Sequence, residues 1–305
     1  MATTEPLLLE ESTRRKLDRL MLVASKVRAG AIKGERRSTK RGTSIEFADY
    51  RDYTPGDDLR RLDWNVYART DRPYIKLLED EEDLAVHFLL DASASMDWPK
   101  TDEFEAPEDY NKLLYARRLM AGLAYIALGT NDRLSITAYD VGGQGEFGPV
   151  RGRGQSVSLL RYAHDIQPGG ITDLNVAMRN YSVRARRPGL CFVLSDMFSA
   201  TGYIDGMNAL LGKGYELVML HILSPDEVSP PMVGDLRLID SETGTAQEVS
   251  LDGGMRDIYV KRMTAWRDEI RAECTRRGIN YLPLQTDYPW EKVILYDLRR
   301  LGLVK

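Results

Sequence analysis

The run LAVHFLLDASASMDW, Leu84 to Trp98, joins an apolar strand to a loop of short oxygen-bearing side chains. Leu84 to Leu90 is almost unbroken in its apolar character, which predicts a strand buried on both faces. Asp91, Ser93 and Ser95 follow at every second position, and in an extended loop such residues point the same way. They converge just beyond the carboxyl end of a parallel strand, where open α/β sheets place their ligands. An all-oxygen donor set suits a hard cation, Mg²⁺ or Mn²⁺. Asp and Ser in this place also serve as turn and capping residues, so the loop alone leaves a structural role open.

Around this stretch the pattern is strand and helix in alternation. Lys112 to Gly129, Ser156 to Ile166, the run reaching Ala185, Gly202 to Gly212, Met255 to Arg277 and Trp290 to Leu301 carry helical patterns. Strands are expected at Arg133 to Tyr139, Leu190 to Leu194, Leu217 to Leu223 and Asn280 to Leu284. Glycine-rich Asp140 to Gly154 reads as a hairpin, and Arg237 to Val249 as a hairpin at the sheet edge, turned at Glu242-Thr243-Gly244. The alternation predicts an α/β fold, a doubly wound and mostly parallel sheet of the Rossmann-like kind, covered on both faces. This domain is expected over residues 84–305.

Residues 1–83 are expected to form an amino-terminal helix, a basic loop and a small β-rich extension. Leu17, Leu20, Met21, Val23, Ala24 and Val27 recur at helical spacing between Glu11 and Ala29, with Ser12 as the N-cap. Gly30 to Gly42 is polar and basic. Ile45 to Asp83 is dense in aromatics, arginines and acids, with a type II turn at Pro55-Gly56 and short strands in segments such as Arg69 to Leu78. Asp57, Asp58, Arg60, Arg61 and Asp63 are expected in ion pairs, with a binding surface as the other reading.

Composition narrows the function classes. A net charge of −4 over 305 residues does not suggest a nucleic-acid binder, and the basic segment Lys26 to Arg41 lacks aromatics for base stacking. Cys191 and Cys274 are far apart and fit small core residues of a reducing compartment. No apolar run reaches the roughly 18 residues of a membrane span, and the amino terminus has no secretory pattern, so a cytoplasmic protein is expected.

Two further loops carry chemistry that matches the first. Thr172 starts a helix behind Gly169-Gly170, and Asp196 ends the strand CFVLSD as Asp91 ends its own. Together Asp91, Ser93, Ser95, Thr172 and Asp196 resemble the metal-ion-dependent adhesion site of a von Willebrand factor A domain. The upstream run R-x-Y-x-P-G-D-D-x-R-x-L-D-W-x-x-x-A-R, Arg51 to Arg69, followed by Tyr74 and Lys76, resembles the bacterial family known as domain of unknown function 58. The resemblance covers about residues 30 to 225. It implies that Asp91, Ser93 and Ser95 form the core of the site, that Thr172 joins in one conformation, and that Asp196 acts through water. It also implies an adaptor role beside a MoxR-type AAA+ ATPase.

Neutral hydroxyls make up most of this donor set, so a bound ion keeps much of its charge for a carboxylate offered by a protein partner. The competing expectation is a metal-dependent phosphoesterase. No general base stands near the constellation in the sequence. His87, His164 and His221 fall within a strand, a helix and a strand, and there is no G-x-x-x-x-G-K-[ST] or G-x-S-x-G motif. The expectation is a binding protein, not an enzyme.

Overall fold

The computed structural model describes residues 8–24, 45–54, 57, 59, 62–80, 84–100, 110–139, 145–171, 173–184, 187–230, 234–239, 245–251 and 253–305. The chain divides into two compact units, one of Met1–Ile32 with Leu84–Lys305, the other Lys33–Asp83. The basic run, the Pro55-Gly56 turn, Asp58, Arg60, Arg61, Thr172 and the turn at 242–244 lie outside the described residues.

The amino-terminal helix is shorter than its periodicity suggested. Helix α1 is Glu11–Leu17, its N-cap is Glu10 rather than Ser12, and no side chain caps it. The apolar residues that follow are extended. Leu22 bridges Val304 antiparallel, and Val23 N–H donates to the Leu303 carbonyl. A short apolar run satisfies helix and strand patterns alike, and the pairing with the last residues decides between them.

The smaller unit pairs strand β1 (Ile45–Asp52) antiparallel with β2 (Tyr74–Asp80). Between them, Trp64–Thr70 is a helix, α2, where strand had been expected from Arg69 onward. The Asp63 carboxylate accepts from the N–H groups of Asn65 and Val66, and this cap starts the helix. Asp71 stops it in the left-handed region, φ 54°. The expected ion pairing is present at Asp57, which accepts from the Arg51 guanidinium at 2.7 Å. Bonds from the Thr54 amide, the Thr54 hydroxyl and Arg51 hold the Asp57 carboxyl below its ordinary range.

The larger unit is built on a six-stranded sheet. Its elements are β3 (Ala85–Asp91), α3 (Lys112–Gly129), β4 (Arg133–Tyr139), β5 (Glu146–Val150), α4 (Ser156–Asp165), α5 (Leu174–Arg184), β6 (Leu190–Ser195), α6 (Ile204–Gly212), β7 (Glu216–Leu223), α7 (Pro225–Val228), β8 (Gly234–Ile239), β9 (Ala246–Leu251), α8 (Gly253–Arg276) and β10 (Asn280–Gln285). A closing helical segment runs from Trp290 to Arg300. The sheet order is β10-β7-β6-β3-β4-β5, parallel throughout except for β5, which pairs antiparallel with β4. The β8–β9 hairpin is a separate two-stranded sheet, not an addition to the main edge.

Both faces of the sheet are covered. Val86, Phe88 and Leu90 point into one core cluster with Leu119, Leu123 and Ile294. Leu89, Cys191, Val193 and Met219 point into the other with Met178, Met207 and Ile270. Alternation along β3 therefore feeds two cores, which is why its sequence is apolar at every position but His87 and the terminal Asp91. Gly189 lets β6 start hard against β3, since a Cβ there would lie 2.0 Å from the Ala85 carbonyl oxygen. Among the described residues no helix is long and apolar enough to cross a membrane.

Strand order reverses between β3 and β6. The chain leaves β3 toward β4 on one side and returns to β6 on the other, so their connections part at the carboxyl ends, the place where doubly wound sheets set their ligands. Asp91 and Ser195 are the last residues of those two strands.

Candidate functional site

The loop after β3 is organised by the carboxylate of Asp91. Its Oδ1 accepts the Ser93 N–H at 3.0 Å, folding the chain back, and its Oδ2 accepts the Ser195 hydroxyl at 2.7 Å. The turn at Ala94–Met96 then brings the Ser93 and Ser95 hydroxyls into a hydrogen bond with each other at 3.0 Å. Asp91 and Ser93 are wholly buried, and Ser95 is partly open to solvent. The structure thus brings together the three residues of the D-x-S-x-S loop.

The second loop lies against the first. Gly169 N–H donates to the Ala92 carbonyl at 2.8 Å, and the Gly170 carbonyl accepts from Ala94 N–H at 3.1 Å. The third loop is tied to the second, because Asp173 accepts the Thr201 hydroxyl and the Leu174 N–H reaches the Ser199 hydroxyl oxygen.

Asp196 has a different setting. It is wholly buried, its Oδ1 accepts the Phe198 N–H at 3.1 Å, and its Oδ2 accepts from the Lys112 ammonium at 2.7 Å. Lys112 is itself fully buried and donates a second bond to Glu227 Oε1 at 2.6 Å. Glu227 closes a capping box at the start of α7, accepting the Ser224 N–H at 2.8 Å. Burial pushes the lysine down, but the carboxylates of Asp196 and Glu227 outweigh it and hold the ammonium above its ordinary value. The Tyr139 hydroxyl is buried beside Asp91 and Asp196. Burial first, and then those two charges, keep it well above the usual phenol range, so it stays protonated.

A family model described as "Protein of unknown function DUF58" matches residues 49–269. The chain belongs to the DUF58 family. Uncharacterized proteins of Mycobacterium tuberculosis and Mycobacterium bovis are 27% identical over 264 residues, covering 86% of this chain and 81% of theirs. An uncharacterized protein of Mycobacterium avium is 30% identical over 146 residues, 47% of this chain and 86% of its own. Among solved structures, BatB from Bacteroides thetaiotaomicron aligns at 15% identity and a TM-score of 0.41, covering 72% of this chain and 98% of BatB. An aerotolerance-related membrane protein from Bacteroides fragilis gives 16% identity and a TM-score of 0.42, over 71% of this chain and 99% of that one. Neither structural likeness is close enough to argue from.

Two of the three histidines of this DUF58 protein are bound into the fold. His87 Nε2–H donates to the Arg187 carbonyl, so its Nδ1 accepts the Tyr181 hydroxyl at 2.7 Å. His221 Nε2–H donates to the Asp196 carbonyl, and its Nδ1 accepts the Tyr281 hydroxyl at 2.7 Å. Burial pushes His87 down to about 4 and His221 down to about 3, so both rings are neutral at pH 7. His164 lies on the exposed side of α4 beside Asp165. The cysteines are buried and unlinked.

Lys112, Glu227 and Ser195 were not singled out in the sequence, although two of them left a signal. A lysine at the first position of a helix runs against the helix dipole, which favours acids there. Ser224-Pro225-Asp226-Glu227 has the capping-box spacing. Ser195 gave no signal, since its role depends on β6 lying beside β3.

Proposed function

We propose that this DUF58 protein holds Mg²⁺ or Mn²⁺ at Asp91, Ser93 and Ser95, in a von Willebrand factor A-like arrangement, and uses it to grip a carboxylate of a protein partner. The observation that carries this reading is the 3.0 Å separation of the Ser93 and Ser95 hydroxyl oxygens beside the buried Asp91. Octahedral Mg²⁺ takes oxygens at about 2.1 Å, which puts neighbouring ligands about 3.0 Å apart. The oxygen-only donors and the position at the strand-order reversal support the same reading. Thr172 completes the family pattern but lies outside the described residues. A bound ion with hydroxyl ligands supplies an uncancelled positive charge, and the partly exposed Ser95 side is where an anionic group would meet it.

The partner suggested by the family resemblance is a MoxR-type AAA+ ATPase, for which this protein would be a cytoplasmic adaptor and not an enzyme. Phosphoester hydrolysis draws no support from His87 or His221, whose ring nitrogens are both engaged.

The test is thermal unfolding with increasing Mg²⁺ or Mn²⁺ for wild type, Ser95→Ala and Asp91→Ala. A site occupied only in the folded state stabilises by about 2.7 kcal/mol at a hundredfold excess over Kd. The rise is expected in wild type and is lost in both variants, with Ser95→Ala the milder probe because it removes a partly exposed hydroxyl. If metal changes neither the wild-type unfolding temperature nor capture of the ATPase, the reading fails.

A further inference from the structure

A buried ammonium survives only where fixed negative charge surrounds it, and Lys112 draws that charge from two strand-end loops. It starts the 18-residue helix α3, where the backbone dipoles disfavour a cation. Asp196 reaches it from behind β6 at 2.7 Å, and Glu227 from behind β7 at 2.6 Å. The Phe198 ring lies 5.5 Å from the ammonium and stacks on Trp266, closing the pair off from solvent. Asp196 is fixed from its other side as well, by the Phe198 N–H on its carboxylate and by His221 on its carbonyl.

This arrangement bears on the metal. A divalent ion bound to Asp196 Oδ2 would sit within about 5 Å of the ammonium, given a metal–oxygen distance of about 2.1 Å and the oxygen–nitrogen distance shown. Asp91 accepts from the Ser93 amide and the Ser195 hydroxyl. Of the two carboxylates at the strand-order reversal, Asp196 is the one bound to the Lys112 ammonium.

We propose that Lys112 is a positioning residue that sets the cation affinity of the site: it claims the Asp196 carboxylate, leaving the ion to Asp91, Ser93 and Ser95 and withholding one negative charge from it. The inference rests on the metal reading above. It means that Asp196, although it directly follows the end of β6, is the counter-ion of a lysine and not a metal ligand, directly or through water. Replacing the lysine releases a carboxylate toward the ion.

The experiment is calorimetric titration of the full chain with Mn²⁺ alone, together with metal-free thermal unfolding, for wild type, Ser95→Ala, Asp196→Asn, Lys112→Met and the Lys112→Met/Asp196→Asn pair. Asp196→Asn is expected to change Kd by less than about threefold, while Ser95→Ala weakens binding by about tenfold or more. Lys112→Met is expected to tighten binding by about tenfold, and the double variant to return to within about threefold of wild type. Without metal, each single change lowers the unfolding temperature, and the pair falls no lower than Lys112→Met alone, because Glu227 is then the one carboxylate of the two left facing the missing ammonium. Loss of Mn²⁺ binding in Asp196→Asn to the extent seen in Ser95→Ala overturns the proposal, as does a folded Lys112→Met that binds no more tightly than wild type. Should Lys112→Met not fold, the Asp196→Asn titration decides alone. Wild type that binds no Mn²⁺ sinks the metal reading itself, a result distinct from a metal-binding protein that needs Asp196.

Discussion

His87 stands on the central strand with its ring between Tyr181 and Tyr215, and its neutrality is part of what the fold stabilises. Its folded pKa of about 4 lies below the unfolded 6.5, so the unfolded chain takes up a proton first as pH falls. The associated stability is complete above about pH 6.5 and is lost as pH drops toward about 4, a total of about 3 kcal/mol. Urea unfolding of wild type and His87→Gln at about pH 7 and about pH 4.5 is expected to show the wild-type advantage shrinking at the lower pH. A constant gap would mean that the ring contributes by packing alone. The same scale separates Asp91 from Asp196. Both read alike in the sequence, an acid at the end of a buried strand, yet one meets an amide and a hydroxyl and the other a lysine some 84 positions away in the chain.

At the scale of elements, α5 and α6 pack through a glycine. A Cβ at Gly206 would come within 2.8 Å of Met178 Cβ and 3.2 Å of Asn175 Cα, and the Gly206 N–H donates to the Asn175 side chain at 2.9 Å. Gly206→Ala is therefore expected to cost about 1–3 kcal/mol despite its better helix propensity, measured by chemical denaturation. Unchanged or raised stability would show that α6 can shift. Most helices and strands of the larger unit were legible because their periodicity is long and its caps are local, as Lys112–Gly129 and Arg133–Tyr139 illustrate. The misreadings fell where the signal was short. The Leu20 to Ala24 run became extended, Trp64–Thr70 became a helix once Asp63 capped it, and the β8–β9 hairpin formed its own sheet.

Over the whole larger unit, residues distant in sequence close the fold. Met21 and Lys305 exchange backbone hydrogen bonds at 3.0 Å, and Leu22, Leu303 and Val304 are all buried. Removing residues 302–305 takes away two buried apolar side chains and the pairing partners of the amino-terminal segment. The expected loss is about 3–5 kcal/mol, or roughly 6–15 °C in Tm, read by calorimetry. A shortened chain that melts with wild type would mean that Leu22 finds other cover. No local pattern could have shown this clasp, because each of its halves is too short to specify a partner.

The sequence by itself determined the alternation of strand and helix, the apolar centre of the sheet and the D-x-S-x-S loop at its carboxyl end, since these follow from side-chain period and local hydrogen bonding. Only the tertiary structure decided which strands lie side by side, and with that the Ser195 hydroxyl on Asp91 and the Lys112 ammonium between Asp196 and Glu227. Charges buried together select one another by distance in space, and distance in space is a property that spacing along the chain does not carry.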